Sequence, residues 1–360
     1  MTEISAGKFR GLMRLADAAG RFKMMAIDQR GSLIESLARS SGKSKEQVTF
    51  EEIARVKQVV TKTLAPMATA VLMDPIYGYP YSIASLPGHV GLLLAYEETG
   101  YEAVGKNRYT KLIEGWNAWK ARAAGADAVK LLIYYHPDAD EKARQHQQDL
   151  VRRVGQECAE LDIPFLLETV GYALDGGGTN TPEYARQKPR IVIRSAEEFS
   201  KPEYQVDVLK LEFPANLKYC HAFQSAPFGK KDAEPVYTLE EVKAYCRELN
   251  DAAGVPWVLL SAGVDIEEFI ENTKLAVEAG ASGFLCGRAI WKDAVALYPD
   301  EAKLVQALET QARENFRRLN EIAERATPWF EHRRFGGRVN IRLQHQGPEW
   351  YRRYQAGVRS

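Results

Sequence analysis

Cysteine is scarce in these 360 residues, and the four present, Cys158, Cys220, Cys246 and Cys286, form no CxxC pair. That excludes a disulfide scaffold and a thiolate metal site, and leaves reduced, buried thiols as the expectation. Histidine is equally thin. His89, His136, His146, His221, His332 and His345 never fall in paired ligand spacing, so no metal or other cofactor is expected. An excess of either charge is missing too: 48 basic residues face 48 acidic ones. No overall field draws the chain to nucleic acid or to a membrane surface. No apolar run approaches the length of a membrane span, and the first 25 residues lack the apolar core of a secretory signal. A soluble, cytoplasmic protein is the expectation. The GxGxxG turn of a dinucleotide-binding sheet is absent after the first strand candidate.

What is present is a series of short apolar runs. They read "FKMMAID" (22–28), "AVLMD" (70–74), "GLLLAYE" (91–97), "AVKLLIYY" (128–135), "PFLLET" (164–169), "VLKLEF" (208–213), "WVLLSAG" (257–263) and "GFLCGR" (283–288). Near-continuous apolar strands belong to parallel sheets covered on both faces. Helix starts lie between them. "TFEE" (49–52), "TLEE" (238–241) and "DIEE" (265–268) set a capping Thr or Asp three residues before a Glu, and Pro182 suits a first helical position. "AAGA" and "EAGA" at 123–126 and 278–281 place a glycine where a helix must stop before the next strand. Eight strands with mostly helical crossovers predict a (β/α)8 TIM barrel over residues 1–325. A basic, aromatic extension, 326–360, is expected to pack on a barrel end or at a subunit interface.

Within "VDVLKLEFPAN" (206–216) stands a lysine, Lys210, in a run that reads as buried. Taking an ammonium out of water is costly unless it is paired or neutralised. Strand alternation sets Val208, Lys210 and Glu212 on one face and an all-apolar set on the other, so Lys210 points into the barrel. By the same alternation Lys130 points inward from strand four, and Glu168 ends the strand between them. A structural salt bridge to Glu168 or Glu212 accounts for one buried lysine. Two are better explained as a nucleophile and a neighbouring charge that favours its neutral form, with Glu168 as proton carrier. Asp28 and Asp74 end strands one and two. Ser261 and Gly263 after strand seven, with Gly287 and Arg288 after strand eight, form the two halves of a phosphate site. Asp265 is expected to cap the helix behind one half. His136 reads as a loop histidine first and a substrate contact second.

The segments "AIDQRGSL", "LAPMATAVLMDPIYGYP", "LLLAYEETGY", "GADAVKLLIYY", "VLKLEFPAN", "LLSAGVD" and "FLCGRAIW" resemble the tagatose 1,6-bisphosphate aldolases, metal-independent class I enzymes of the Schiff-base superfamily. The resemblance runs from about residue 7 to residue 325. It implies a (β/α)8 barrel that cleaves a ketohexose 1,6-bisphosphate to dihydroxyacetone phosphate and glyceraldehyde 3-phosphate. It further implies Lys210 as the Schiff-base lysine, with Lys130, Glu168 and Asp28 as catalytic partners. Substrate and phosphate would be held by Gln29, Arg30, Ser261, Gly263, Gly287 and Arg288. A small sugar phosphate is the expected partner, in a homo-oligomer that binds neither nucleic acid nor membrane.

Three segments depart from the family pattern: the glycine-rich "GYALDGGGTNTPEYARQKP" after strand five, "HPDAD" after strand four, and the long tail. All three bear on the distal end of the sugar. They keep open a class I aldolase for another phosphosugar, such as a sulfonated fructose 1-phosphate. A non-catalytic barrel that binds sugar phosphate, and a tail that binds nucleic acid, are the readings from other classes.

Overall fold

The computed structural model describes residues 1–354; residues 355–360, the end of the tail, lie outside the described residues. The eight apolar runs become eight parallel strands: β1 (Phe22–Ala26), β2 (Ala70–Met73), β3 (Gly91–Ala95), β4 (Ala128–Tyr134), β5 (Phe165–Val170), β6 (Val208–Leu211), β7 (Trp257–Leu260) and β8 (Gly283–Cys286). Each bonds to the next, and β8 bonds to β1, which closes a (β/α)8 barrel. Closure buries both faces of every strand, so the runs are apolar throughout rather than alternating. Met24, Ala26, Ala70, Leu72 and Val258 fill the interior, while Met25, Val71, Leu94, Val129 and Leu209 meet the surrounding helices.

Local chemistry sets most helix starts. Thr49 Oγ1 accepts from Glu52 N at 3.3 Å and the Glu52 carboxylate accepts from Thr49 N at 2.9 Å, opening the helix Phe50–Leu64. Thr238 and Glu241 do the same for Leu239–Ala252. Asp265 differs from expectation: it occupies the N-cap of Ile266–Ala279 but gives no side-chain cap, because Lys292 Nζ takes its Oδ1 at 2.5 Å. A full opposite charge outcompetes a backbone N–H for that carboxylate. The crossover from β3 to β4 is also less helical than the sequence implied. It consists of an antiparallel hairpin, Glu102–Val104 with Asn107–Tyr109, then a six-residue helix, Ala118–Ala123.

The N-terminal end of the barrel is plugged. Leu12 and Leu15 of the helix Ala6–Leu15 pack with Trp329 and Phe335 against the interior residues of the strands. Trp329 is wholly buried, edge-on to Phe9 and Phe335, and its backbone N–H donates to Gly20 O just ahead of β1. Arg333 and Arg334 then donate to Ala253 O and Val206 O, beneath β7 and β6. The chain from Ile341 to Leu343 pairs in parallel with Thr2–Ile4. Trp329, Phe335, Arg333 and Arg334 thus work on carbonyls and rings of the barrel floor. Trp329→Ala should lower unfolding stability by about 3–5 kcal/mol, read as a shift in urea midpoint; an unmoved midpoint would show the floor lies outside the cooperative core.

Candidate active site

Strand register delivers the charged side chains to the barrel's C-terminal half. Glu168 on β5 lies directly across from Lys210 on β6, and Ala95 on β3 lies across from Lys130 on β4. Paired residues of neighbouring strands point the same way, so Glu168 and Lys210 share the interior. Glu168 Oε2 accepts from Lys210 Nζ at 2.9 Å and from Lys130 Nζ at 2.9 Å. The two amino groups therefore flank one carboxylate oxygen. Lys130 also donates to Asp28 Oδ2 at 2.9 Å and to Glu97 Oε1 at 2.6 Å. The four residues expected as catalytic, Lys210, Glu168, Lys130 and Asp28, come together from β4, β5, β6 and the end of β1.

Electrostatics within the cluster follow from burial set against charge. Burial on its own raises the Glu168 carboxyl, but Lys130 and then Lys210 outweigh it and hold the group below the usual glutamate value. Asp28 is likewise pushed up by burial and pulled well below the usual aspartate range by Lys130 and Lys210. Burial works to lower Lys130, yet Asp28, Glu168 and Glu97 together hold it well above the usual lysine value. Lys130 is accordingly a fixed positive charge. Asp28 Oδ1 is buried without a hydrogen-bond partner, an acceptor available to a substrate hydroxyl. Glu212, weighed as a partner for Lys210, points elsewhere: Gly171 N donates to it at 2.7 Å, and Lys188 stands 3.9 Å away. Burial raises its carboxyl above the ordinary value.

Two residues of this region escaped sequence reasoning. Glu97, just beyond β3, holds Lys130 with one oxygen and accepts Leu132 N at 3.0 Å with the other. Its signal was an acid ending an apolar run, as visible in "GLLLAYE" as Glu168 is in "PFLLET". Lys57 is fully buried on the helix Phe50–Leu64 and donates to Asp74 Oδ2 and to Gln29 O, both at 2.7 Å. Burial lowers its pKa, with Asp74 opposing. Asp74 thereby serves the loop after β1 from beneath and stands outside the Lys130 cluster. A lysine between Ile53 and Val60 on an apolar helix face was the available signal.

The loops after β7 and β8 meet around Arg288. Gly263 has φ +76°, and a Cβ built there would lie 2.8 Å from Arg288 Cζ, so the guanidinium needs glycine beside it. A Cβ on Gly287 would lie 2.7 Å from Ala26 O and 2.8 Å from Gln29 Nε2. Gly287 opens the helix Arg288–Val295, and Lys292 of that helix ties down Asp265 in the β7 loop. Ser261 hydrogen-bonds the buried Cys286 thiol, which also feels Lys210. Ser261, Gly263, Gly287, Arg288 and Gln29 are thus gathered at β7, β8 and β1. Arg30 is engaged elsewhere. A buried guanidinium must find acceptors, and its Nη2 donates to Glu97 O at the end of β3 while Nη1 has no partner. His136 is buried, accepts Asp138 N at 3.0 Å through Nδ1 and has no partner at Nε2.

Known proteins agree with this architecture. A family model described as DeoC/LacD family aldolase matches residues 22–293. A tagatose 1,6-diphosphate aldolase of Enterococcus faecalis is 40% identical over 334 residues, which cover 91% of this chain and 97% of that protein. One from Listeria monocytogenes is 38% identical over 335 residues, 92% of this chain and 96% of its own. Among solved structures, a fructose-bisphosphate aldolase from Plasmodium falciparum superposes with a TM-score of 0.66 at 13% identity, covering 90% of this chain and 97% of that one. A Schiff-base-forming fructose-1,6-bisphosphate aldolase gives 0.51 at 17% identity, with 87% and 98% covered. These last two share the fold. By the family model and by relatives matched over nearly their full length, the chain belongs to the DeoC/LacD family of aldolases.

Proposed function

We propose that the protein is a class I aldolase that cleaves a ketohexose 1,6-bisphosphate, tagatose 1,6-bisphosphate first among them, to dihydroxyacetone phosphate and glyceraldehyde 3-phosphate. The observation that carries the reading is a buried lysine, Lys210, hydrogen-bonded to a carboxylate that a second, permanently charged lysine also holds. Lys210 passes a proton to Glu168 and attacks the C2 ketone as the neutral amine, and Glu168 returns that proton to the carbinolamine hydroxyl, which leaves as water. The resulting iminium accepts the electron pair of the C3–C4 bond as the C4 hydroxyl gives up its proton to Glu168. Glyceraldehyde 3-phosphate departs, and the enamine left on Lys210 is protonated and hydrolysed. Lys130 stays an ammonium throughout, steadying the C4 oxygen and holding Glu168 in place. Asp28 Oδ1 takes a sugar hydroxyl. Ser261, Gly263, Gly287 and Arg288, with Gln29 beside them, grip the 1-phosphate and set the ketone over Lys210. Arg30 steadies Glu97 from behind.

We further propose a cytoplasmic homo-oligomer, in which residues 1–325 form the catalytic barrel and the tail completes its floor. No described helix is long and apolar enough to cross a membrane. Light scattering should return a mass above that of one chain.

Borohydride in the presence of dihydroxyacetone phosphate should leave a reduced adduct on the Lys210 peptide, seen by mass spectrometry, and Lys210→Met should abolish it together with cleavage. A wild-type protein that binds the ligand and gives no adduct would instead be a non-catalytic barrel. Glu168→Gln should keep the fold and lower kcat by roughly 10²- to 10⁴-fold, the span usual for a lost acid–base group. The acid stability of the fold carries a further signature. The folded Asp28 and Glu168 carboxyls lie below their unfolded values. Their contribution is complete above the ordinary carboxylate range and is lost as pH falls through that range toward the folded values. Lys130, raised when folded, contributes at every pH below the ordinary lysine range. Urea stability measured from about pH 6 to about pH 3 should therefore fall less steeply in Asp28→Asn than in wild type; equal slopes would mean the Asp28 pKa is the same folded and unfolded.

A further inference from the structure

The hairpin between β3 and β4 presents one residue that the mechanism does not use. The Arg108 guanidinium lies 4.4 Å from the centroid of the Tyr101 ring, 4.7 Å from Tyr172 and 5.5 Å from Tyr134. It forms no ion pair among the described residues, and it is only partly buried. Its position is fixed by the chain around it. Gln147 Nε2 donates to Arg108 O at 2.9 Å, and Asn107 exchanges hydrogen bonds with Asp140 through its side chain at 2.8 and 3.2 Å. Tyr134 shares the inward face of β4 with Lys130, and its hydroxyl feels Glu168, Arg108, Glu97 and Lys130. The arginine thus stands over the same mouth as the lysine cluster. In a closed ring of eight strands, β3 and β4 face β7 and β8, so Arg108 lies across the mouth from Ser261, Gly263, Gly287 and Arg288.

One buried polar atom beyond Tyr172 is without a partner among the described residues. It is Nε2 of His136, whose ring centroid lies 5.8 Å from that of Tyr172. Buried polar atoms without partners are rare. A planar guanidinium with its faces against aromatic rings keeps its N–H edge for an anion, and its fork matches two oxygens of a tetrahedral oxyanion. We propose that Arg108 is a specificity-determining residue that binds the oxyanion at the distal end of the sugar, the end remote from the 1-phosphate. The inference rests on the aldolase reading above. A phosphate or a sulfonate at C6 offers the same three oxygens, so the chemistry recognised is that of a C6 oxyanion.

The test compares kcat/KM of the full-length chain and of Arg108→Ala and Arg108→Lys on three substrates: a ketohexose 1,6-bisphosphate, the 1-phosphate with a neutral C6 hydroxyl, and the 1-phosphate with a C6 sulfonate. Wild type should prefer a C6 oxyanion over the hydroxyl, and Arg108→Ala should cut that preference roughly 10- to 100-fold, the range for a lost charge-assisted hydrogen bond. Arg108→Lys should recover part of it, since an ammonium keeps the charge without the fork. Whichever oxyanion suffers the larger loss is the one the subsite is built for. A uniform fall on all three substrates would make Arg108 a mere brace for the tyrosines and overturn the inference, as would no change at all. Should Arg108→Ala fail to fold, the preference of Arg108→Lys decides by the same criterion. Borohydride trapping with dihydroxyacetone phosphate, which has no distal group, separates the two failures. An adduct on wild-type Lys210 with unaltered preference in the variants sinks only the role of Arg108, whereas no adduct sinks the aldolase reading itself.

Discussion

A buried ammonium is tolerable only inside negative charge, and the architecture of the mouth depends on how Lys130 meets that condition. Asp28, Glu97 and Glu168 each place an oxygen within 2.9 Å of its Nζ. They come from the chain at β1, β3 and β5, so one side chain ties together half the circumference of the barrel. The cost of the arrangement is rigidity: no member can move without stranding a charge in a low-dielectric interior, where desolvation is worth several kcal/mol per ion. For chemistry that rigidity is an asset. Glu168 Oε2 is held by Lys130 and Lys210 together, so in the proposed mechanism the proton path between amine and carboxylate is set before substrate arrives.

The same logic recurs one layer down. Lys57 and Asp74 form a second ion pair wholly removed from solvent, and Lys57 spends its remaining donors on Ile27 O and Gln29 O. Those carbonyls belong to the loop that carries Asp28 and Gln29. An ion pair on the outer side of the strands therefore positions a carboxylate on the inner side. Lys292 plays a comparable part between the β8 helix and the β7 loop. Both candidate halves of the phosphate site are thus fixed to one another rather than left to loop motion.

At the opposite end the barrel is sealed by apolar packing. Trp329 and Phe335 enter the interior cluster beneath Met24, Ala70 and Val258. Within residues 326–354, Arg333 and Arg334 each donate to a backbone carbonyl that precedes a strand, Ala253 O and Val206 O.

Period-two alternation within β6 is a local property, and it suffices to turn Lys210 inward. The Thr49 and Thr238 capping boxes, the glycine stops and the doubly buried strands are equally local, which is why eight strands and a barrel were legible from residues 22 to 288. Local pattern fails where two distant groups compete. Asp265 abandons its helix for Lys292. Glu97 and Arg108 were readable as residue types and unreadable as neighbours of Lys130 and Tyr134, because contact across β3, β4 and β5 depends on register and closure. The sequence by itself determined which side chains within the strands point into the barrel, since alternation is set by backbone geometry alone and lapses only past a strand's end, as at Glu212 beyond β6. Only the closed tertiary structure decided which of them meet, because strand register fixes partners that lie 33, 42 or 102 residues apart along the chain.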